Sequence, residues 1–436
     1  MKPKIVYITA GAGGMYCGSC IRDNSLVTGM ENLGWDVLLL PLYTPIRVDE
    51  EDHSVDQVFF GGINVYLQQK IPLFRHLPNF LDRWLDNPGL IRRVASGAMS
   101  VNAAELGAMT LSMVKGEHGY QKKEVGRLVH WLKEVVKPDL ICLTNLLVGG
   151  CIPALKRELG IPVYVTLQGD DVFLDELQEP WREQVLSEMK DLAEAADGFL
   201  TFSEFYRERM VEMLGIPPEK FSLTPLGVPI HEFDPVVEKR SGRSSGQVIG
   251  YFARLAPEKG FDILVDAFVK LAPEFPDATL QVAGWLSEKD RGFYAEQLAK
   301  IEAAGLNERF VHLEAPDGEA KVKFFEGIDV FSVPARFVEP KGLYALEAMA
   351  CGLPVVFPNR GIFPELIRQS GAGSLCDPES PGDLAAKLAD LLESPEKAAS
   401  LAKAGQNWVR KNGGQEAMAK ATADVFAKAL GRTQEG

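Results

Sequence analysis

The sequence of 436 residues has no long hydrophobic run. A membrane-spanning helix needs ~18 or more consecutive apolar residues. The most apolar stretch, PDLICLTNLLVGGCIPAL, is interrupted by Asp139, Asn145 and two prolines. The amino-terminal segment MKPKIVYITAG carries an apolar run that is short and strand-like, unlike the apolar core of a signal peptide. These features predict a soluble protein of the cytoplasm.

Cysteine and basic residues are also scarce. The six cysteines are irregularly spaced and do not form the pattern of a disulfide framework. Lys and Arg together number 46 against 60 Asp and Glu, so the formal net charge is −14. An acidic surface argues against nucleic acid as the main partner.

One segment, residues 66–137, departs from this acidic balance. It holds 11 basic and 6 acidic side chains, including Arg92, Arg93, Lys122 and Lys123. Two interpretations stay open. The segment is either a solvated helical surface or a patch that faces an anionic acceptor or membrane headgroups.

The first half of the chain alternates apolar, β-branched runs with helical segments. The runs fall at residues 4–9, 35–40, 138–143, 162–167 and 198–203. Strands that alternate with helices are typical of a parallel α/β sheet. We therefore expect a Rossmann-like domain over residues 1–235, with a helical elaboration at 66–137.

A second strand–helix series follows residues 236–247, where apolar periodicity gives way to Gly, Ser and charge. That composition predicts an interdomain linker. The later runs are apolar on both faces, as buried parallel strands are. They predict a second doubly wound domain at 248–436, with a final helix that either stays there or packs back on the first domain. Two such domains facing each other would form a cleft at the carboxyl ends of their strands, where ligands bind.

The stretch PARFVEPKGLYALEAMACGLPVV is the most informative pattern of the second half. A strand ends near Pro334, Glu339 follows in a loop, and a helix should begin near Gly342. Glu347 lies one turn inside that helix, on the same face as Leu343. A helix start suits a phosphate, and a carboxylate accepts two hydrogen bonds from a vicinal diol. The pattern suggests a nucleotide-sugar site, but the Glu spacing alone also fits an ordinary loop and helix with surface glutamates.

A second pattern, GYFARLAPEKGFDILVDAF, places two cations after a strand. Arg254 ends the strand, and Lys259 follows just before an amphipathic helix. Arg can fork onto phosphate oxygens, and Lys acts as a point charge. Two exposed loop cations with no ligand are the alternative.

Together these residues resemble the retaining nucleotide-sugar glycosyltransferases of family 4, which have the two-domain GT-B fold. The resemblance rests on the segment AMACGLPVV with the preceding glutamates, on ARLAPEKG, and on TPLGVPIHEFDP at the domain junction. It covers nearly all of the chain, is strong in the second half and is weaker from 43 to 137.

The resemblance implies roles for the four charged residues. Glu347 would bind the ribose diol, and Glu339 would bind hydroxyls of the donor sugar. Arg254 and Lys259 would neutralise the diphosphate as it leaves. The sugar would be transferred with retention on one face, without a firmly assigned protein nucleophile.

Backbone N–H groups at Gly342 and Leu343 would cap the distal phosphate. No metal and no cofactor are expected, because the cations and the helix end supply the electrostatic stabilisation that a metal would give. The partners implied are a nucleoside-diphosphate sugar as donor and a sugar, lipid or glycan as acceptor.

The glycine loop GAGGMYCGSC after the first strand is a further candidate. In the family that the chain resembles, such a loop faces the donor phosphates and the acceptor. Gly13 and Gly14 stand at this place, and glycine lets the backbone approach a ligand closely. A dinucleotide fingerprint would need glycine where the chain has Tyr16, so NAD is excluded. Cys17 and Cys20 are either small packing residues or a redox-sensitive pair, and nothing at ligand spacing completes a zinc site.

Two departures from the family pattern stand out. Many relatives carry His-Gly-x-Asp where this chain reads Gln168, Gly169 and Asp171. A Gln amide can hydrogen-bond a sugar hydroxyl but cannot titrate. Lys341 occupies a position that is often aromatic, and it either adds a third cation beside the diphosphate or points to solvent.

The leading hypothesis is therefore a retaining hexosyltransferase that uses a UDP- or GDP-sugar. A nucleotide-sugar epimerase, a catalytically silent GT-B binding or scaffold protein and a thiol oxidoreductase are the alternatives. The stretch VYLQQKIPLF faintly resembles glycogen synthases, which keeps an α-glucan acceptor open.

Overall fold

The computed structural model describes residues 2–11, 18–46, 52–55, 59, 60, 103–240, 246–314, 316 and 318–432. The chain divides into two compact units. The first unit consists of Met1–Leu226 together with Gln415–Gly436, and the second of Gly227–Gly414.

A six-stranded sheet forms the centre of the first unit. Its strands are β1 (Lys4–Thr9), β2 (Asp36–Pro41), β3 (Leu140–Leu143), β4 (Val163–Thr166), β5 (Gly198–Thr201) and β6 (Phe221–Leu223). They run in the order β2-β1-β3-β4-β5-β6, and all neighbours are parallel. The chain order reverses between β1 and β3, so the topological switch point of this sheet lies there.

Helices cover both faces of this sheet. They are α1 (Gly18–Asn32), α2 (Ala103–Val114), α3 (Lys122–Trp131), α4 (Ile152–Leu159), α5 (Asp170–Asp175), α6 (Trp181–Ala195) and α7 (Glu204–Leu214). Strand β1 shows why two layers form. Ile5 and Tyr7 belong to one buried cluster, and Val6 and Ile8 belong to the other. A parallel strand that is apolar on both faces needs helices on each.

Part of the expected helical elaboration is present. Helices α2 and α3 fall within residues 66–137, and a π-helical turn at Leu132–Val136 extends α3. Lys137 adopts φ 55° directly before Pro138, and this ends the helical segment. The rest of the elaboration, up to residue 102, lies outside the described residues.

The second unit repeats the same architecture. Its strands are β7 (Val248–Phe252), β8 (Thr279–Gly284), β9 (Phe310–Glu314), β10 (Val330–Ser332), β11 (Val355–Pro358) and β12 (Gly373–Cys376). They run in the order β12-β11-β10-β7-β8-β9, all parallel. The switch point of this sheet lies between β7 and β10.

In the described residues of the second unit, eight α-helices accompany the sheet. They are α8 (Asp234–Arg240), α9 (Phe261–Leu271), α10 (Arg291–Ala303), α11 (Gly318–Gly327), α12 (Leu343–Ala350), α13 (Phe363–Ser370), α14 (Pro381–Glu393) and α15 (Pro395–Asn412). No helix in the described parts of either unit is both long enough and apolar enough to span a membrane.

Helix α8 corrects the expected linker at 236–247. Residues 236–240 of that expected linker are helical. The first unit ends at Leu226 instead of residue 235. Val236 is completely buried, and the buried Phe233 packs edge-on against Phe325 with ring centroids 6.0 Å apart. These apolar anchors hold the segment against the second unit, although its composition is polar overall.

The final helix, α16 (Gln415–Ala429), lies in the first unit, so the second unit ends at Gly414 and not at the chain terminus. It packs on α1, where Gln415 Nε2 donates to the Ser25 carbonyl oxygen at 2.9 Å. Phe426 is buried with its ring 5.9 Å from Tyr164. The first unit is therefore built from two separate pieces of sequence.

Candidate functional site

The loop between β10 and α12 holds a buried carboxylate at the start of the helix. Gly342, the residue before α12, has φ 71°. Glu339 Oε1 accepts from the backbone N–H groups of Lys341 and Gly342, both at 3.3 Å. Glu339 Oε2 accepts from Lys259 Nζ at 3.0 Å and from the Tyr344 hydroxyl at 3.1 Å. Four donors thus converge on one carboxylate beside the positive end of a helix.

These contacts keep Glu339 ionised. Burial acts to raise the pKa of this carboxyl, but the lowering contributions together outweigh it, the charge and hydrogen bond of Lys259 being the largest of them. The charge of Lys341 and the Gly342 N–H act in the same direction, so the pKa lies below its ordinary value. The Lys259 ammonium also lies 4.4 Å from the centroid of the Phe337 ring, which favours the charged form of a cation.

Lys259 reaches this position because its loop sits directly on the end of β10. Gly260 has φ 68°, and a Cβ atom there would lie 1.9 Å from the Pro334 carbonyl oxygen. The loop therefore needs glycine next to Lys259. Since β7 and β10 are neighbours at the switch point, the loops that follow them meet at the edge where ligands bind.

Arg254 is placed differently from Lys259. Its Nη2 lies 3.0 Å from Glu258 Oε1, and 48% of its side chain is exposed. Arg254 and Lys259 thus follow the same strand, but the Lys259 side chain contacts Glu339 whereas that of Arg254 pairs with Glu258. Arg254 remains accessible to a ligand at the edge.

Glu347 lies one turn into α12 and pairs with a residue that the sequence patterns did not single out. Its Oε1 is 3.2 Å from Lys321 Nζ on α11. Lys321 is only 5% exposed. It shares a helix face with the buried Phe324 and Phe325, and this lysine in an apolar stripe was the available signal. Leu343, the remaining candidate here, is the first residue of α12.

In the first unit, Gln168 is 3% exposed and lies just beyond β4. Its Nε2 donates to Thr144 Oγ1 at 2.7 Å, to the Thr144 carbonyl oxygen at 2.9 Å and to Asp23 Oδ1 at 3.2 Å. Asp23 was not predicted from the sequence. Four successive polar residues inside α1, at positions 22–25, are at most 1% exposed, and such a run inside a helix was the signal.

Asp170 and Asp171 have partners within the fold. Asp170 is buried, and its carboxylate accepts from the backbone N–H of Leu146 at 2.6 Å and that of Gln168 at 3.2 Å. Burial raises its pKa to about 6. Asp171 accepts from the Tyr206 hydroxyl at 2.8 Å and from an Arg209 side chain. Within the described ranges, no group of three or more His, Cys, Asp or Glu side chains could hold a metal ion.

Most of the glycine loop that follows β1 lies outside the described residues. Gly13, Gly14, Tyr16 and Cys17 lie outside the described residues. Cys20 is 1% exposed, and Thr9 Oγ1 lies 3.8 Å from its Sγ.

Sequence profiles of known families match both units. The profile described as Glycosyltransferase Family 4 matches residues 108–232, and the one described as Glycosyl transferases group 1 matches residues 237–408. Together the two segments take up more than half of the chain. The chain belongs to glycosyltransferase family 4. The second match contains all the candidate residues of the second unit, from Arg254 to Glu347, and the first contains Gln168.

Two relatives with assigned names align with slightly more than half of the chain. The GDP-mannose-dependent alpha-(1-6)-phosphatidylinositol monomannoside mannosyltransferase of Mycolicibacterium smegmatis is 29% identical over 237 residues, 51% of this chain and 60% of that protein. The D-inositol 3-phosphate glycosyltransferase of Segniliparus rotundus is 28% identical over 262 residues, 58% of each chain. The alignments therefore span less than two thirds of these relatives.

A solved structure matches over the whole length. The crystal structure of Anabaena Alr3699/HepE in complex with UDP superposes with a TM-score of 0.70 at 17% identity, covering 98% of this family 4 chain and all of that one. This likeness and the two parallel sheets confirm the predicted fold class of two Rossmann-like domains in the GT-B fold.

Proposed function

We propose that this family 4 glycosyltransferase moves a hexose from a nucleoside-diphosphate sugar to a hydroxyl of an acceptor, with retention and without a metal or cofactor. The Lys259–Glu339 pair at the start of α12 carries the proposal. It combines a cation, a helix amino terminus and an ionised carboxylate within hydrogen-bond distance. A leaving diphosphate needs the first two, and a sugar needs the third.

Electrostatic stabilisation is the main catalytic contribution of these residues. Negative charge grows on the diphosphate as the bond to the sugar breaks. Lys259 and the accessible Arg254 would offset that charge, together with the first N–H groups of α12 at Gly342 and Leu343. Fixed cations and backbone donors can do this work without a bound metal ion.

Glu339 has a second role in the proposal. In the structure it accepts hydrogen bonds from Lys259 and from the Gly342 N–H. A diphosphate would compete for these donors and release carboxylate lone pairs. Glu339 would then accept hydrogen bonds from hydroxyls of the donor sugar.

Glu347 would bind the ribose diol of the nucleotide. Lys321 donates a hydrogen bond to Oε1 of Glu347, and the other carboxylate oxygen would accept hydrogen bonds from the diol. The ion pair with Lys321 offsets the free-energy cost of burying most of the Glu347 carboxylate.

Gln168 would bind a hydroxyl and not transfer a proton, because an amide does not titrate. The proposed reaction therefore proceeds on one face of the sugar without a general base at this position. Gly13 and Gly14 would approach the donor phosphates through their backbone.

The acceptor is proposed to be a hydroxylated molecule with a phosphate or lipid part. The two relatives named above are called an inositol 3-phosphate glycosyltransferase and a phosphatidylinositol monomannoside mannosyltransferase. The basic residues of 66–137 would contact such an anionic acceptor or the membrane that carries it. Reversal of Arg92, Arg93, Lys122 and Lys123 to Glu should then raise the acceptor KM and leave donor hydrolysis unchanged.

The deciding experiment is a panel of UDP-, GDP- and ADP-sugars, assayed for nucleotide release into water, which needs no acceptor. EDTA should leave the rate unchanged, and NMR of the first-formed sugar should show the anomer of the donor. D-inositol 3-phosphate and phosphatidylinositol vesicles are then added as acceptors. Wild-type protein that binds nucleotides but releases none from any sugar would instead be a silent binding protein.

A further inference from the structure

The switch point of the first unit holds a cluster of buried polar side chains. Thr9 is the last residue of β1, Thr144 follows β3 directly, and Gln168 lies two residues beyond β4. Asp23 reaches this cluster from α1 and is completely buried. In open α/β sheets ligands bind at the switch point, so Gln168, just beyond the end of β4, is placed to meet a substrate.

The Asp23 carboxylate joins three strand ends and is itself held in place. Its Oδ2 accepts from Thr9 Oγ1 at 2.9 Å and from Thr144 Oγ1 at 2.5 Å. Its Oδ1 accepts from Gln168 Nε2 at 3.2 Å and from Arg22 Nη1 at 3.2 Å. With both oxygens bonded to separate elements, the carboxylate has one orientation.

The Gln168 amide is fixed as a result. Its Nε2 faces Asp23 Oδ1 and the carbonyl oxygen of Thr144. A rotation of the amide by half a turn would place Oε1 against these two oxygens, neither of which can donate a hydrogen bond. The hydrogen-bond network therefore decides which end of the amide points where.

This orientation leaves one acceptor unused. Gln168 Oε1 is buried and has no hydrogen-bond partner. Buried polar atoms without partners are rare in folded proteins, and a role in function is one explanation of them. The side chain was predicted to bind a hydroxyl, but only the network shows that its donor end is already in use.

We propose that Asp23 is a positioning residue that makes Gln168 a pure hydrogen-bond acceptor for a substrate hydroxyl. The proposal rests on the proposed transferase function and narrows its substrate. A phosphate or carboxylate oxygen carries no proton to give to Oε1, whereas a sugar or polyol hydroxyl does. The group that meets Gln168 is therefore a neutral hydroxyl, either of the donor sugar or of the acceptor.

The first test measures the amide itself and needs no substrate. In protein labelled with ¹⁵N-glutamine, the side-chain amide of Gln168, assigned by its loss in Gln168→Met, should exchange slowly with solvent. Asp23→Asn should move this signal and speed up its exchange, because an Asn side chain accepts the amide in either orientation. Fast exchange in the wild type, or a signal unchanged in Asp23→Asn, would overturn the positioning role.

The second test uses substrates that lack one hydroxyl. UDP-glucose and GDP-mannose, with their monodeoxy sugars, are assayed for nucleotide release into water, and D-inositol 3-phosphate and maltotriose serve as acceptors in a transfer assay. Gln168→Met should lower kcat/KM by roughly 10-fold. With the wild type, one monodeoxy donor should have a kcat/KM lower than that of the intact donor by the same factor. With Gln168→Met, removal of that hydroxyl should cause no further decrease in kcat/KM. A loss confined to the transfer assay assigns the hydroxyl to the acceptor.

A pH profile separates positioning from a structural role. In Gln168→Glu the new carboxylate faces Asp23. Among the described residues, the charged Arg22 and Asp170 and the titratable Tyr7 and Cys20 also contact this network. A protonated Glu reproduces the donor and acceptor ends of the amide, so its activity should rise as the pH falls, while the wild type shows no such rise. Thr9→Val is the matched control, since Thr144 still holds Oδ2, and it should keep the deoxy discrimination.

The experiments test the role of Gln168 and the transferase function separately. Turnover in Gln168→Met equal to wild type, with every deoxy substrate affected alike in both, overturns the proposal and leaves the transferase function intact. Absence of nucleotide release by the wild type from every sugar overturns the transferase function. The amide-exchange measurement then still decides whether Asp23 orients Gln168.

Discussion

Lys259 and Glu339 lie 80 positions apart in the sequence and form an ion pair of 3.0 Å, with 14% and 6% of their side chains exposed. Two charges removed from water in this way are favourable only together. The pair therefore links two loops of the second unit, at β7 and β10, whatever its part in catalysis.

Glu339→Gln should both destabilise the protein and slow nucleotide release. It leaves a buried ammonium without a counter-charge, which costs about 3–5 kcal/mol. The pKa of Glu339 is lowered in the folded protein, so this stabilisation is present above the ordinary carboxyl value and is lost as the pH falls through the folded value. Urea unfolding of wild type and variant should thus differ at pH 7 and converge in acid. Glu288→Gln, in an exposed pair with Arg291, should show no such difference.

Arg254→Ala should impair catalysis without affecting stability. Its pair with Glu258 is nearly half exposed, and such pairs contribute about 0–1 kcal/mol. Loss of a cation that stabilises the leaving diphosphate should cost about 2–4 kcal/mol in transition-state energy. Nucleotide release and thermal unfolding are measured on the same preparation, with Arg291→Ala as control. Wild-type release by folded Arg254→Ala would remove this residue from the donor site.

Lys321→Met should weaken nucleotide binding through Glu347. The substitution leaves a mostly buried carboxylate without its cation, so the folded state should lose about 3–5 kcal/mol. The double variant Lys321→Met/Glu347→Gln has no charge to compensate and should recover most of this stability. Calorimetric titration with UDP and 2′-deoxy-UDP should show a preference for the ribonucleotide in wild type and in Lys321→Arg. The double variant should bind the two ligands alike; a retained preference would exclude Glu347 from ribose binding.

Gly342→Ala tests the backbone at the start of α12. A Cβ atom there would meet Ile362 and Phe363 at 3.4 Å, an ordinary contact distance, so no severe clash is expected. The cost arises from φ 71°, which an L-residue adopts at about 1–2 kcal/mol. We expect a lower melting temperature and weaker binding of UDP and GDP. Gly126→Ala, in helix α3 with no atom within 4 Å of the added methyl, should instead be neutral or stabilising.

Asp170 predicts a pH dependence of stability. Burial raises its pKa from 3.8 to about 6. Between these two pH values the carboxyl group is protonated in the folded state and ionised in the unfolded state. Its contribution is fully present below pH 3.8 and is lost as the pH rises to about 6, which amounts to about 3 kcal/mol. The difference between the unfolding free energies of wild type and Asp170→Asn should change over this interval. A difference that is constant from pH 4 to 7 would contradict the raised pKa.

The sequence was sufficient for the repeating elements and for the selection of Lys259 and Glu339, which the structure places in contact. Strand β1 could be predicted because Lys4–Thr9 is an apolar, β-branched run. Lys259 and Glu339 could be selected because each follows a strand, and the parallel arrangement brings such positions to one edge. The order of the strands was not predictable from periodicity, since that order depends on which crossovers the packed sheet accepts.

The two residues that the sequence patterns missed, Asp23 and Lys321, are polar but buried. Asp23 and Lys321 lie on helices, where a charged residue is usually assigned to the solvent side. Their burial depends on partners far away in the sequence, Gln168 and Glu347, which a local pattern does not contain. The linker at 236–247 was wrong over its first part for a related reason: two apolar residues, Phe233 and Val236, anchor a segment whose average composition is polar.

The two-piece first unit also sets an order of assembly during synthesis. Met418 and Phe426 of α16 share a buried cluster with Leu26 and Met30 of α1, yet they leave the ribosome only after all of residues 227–414. The unit begun first is thus completed last, and the apolar face of α1 stays uncovered while the second unit emerges and folds. A pause or truncation before residue 415 should therefore leave a folded second unit attached to an aggregation-prone first one.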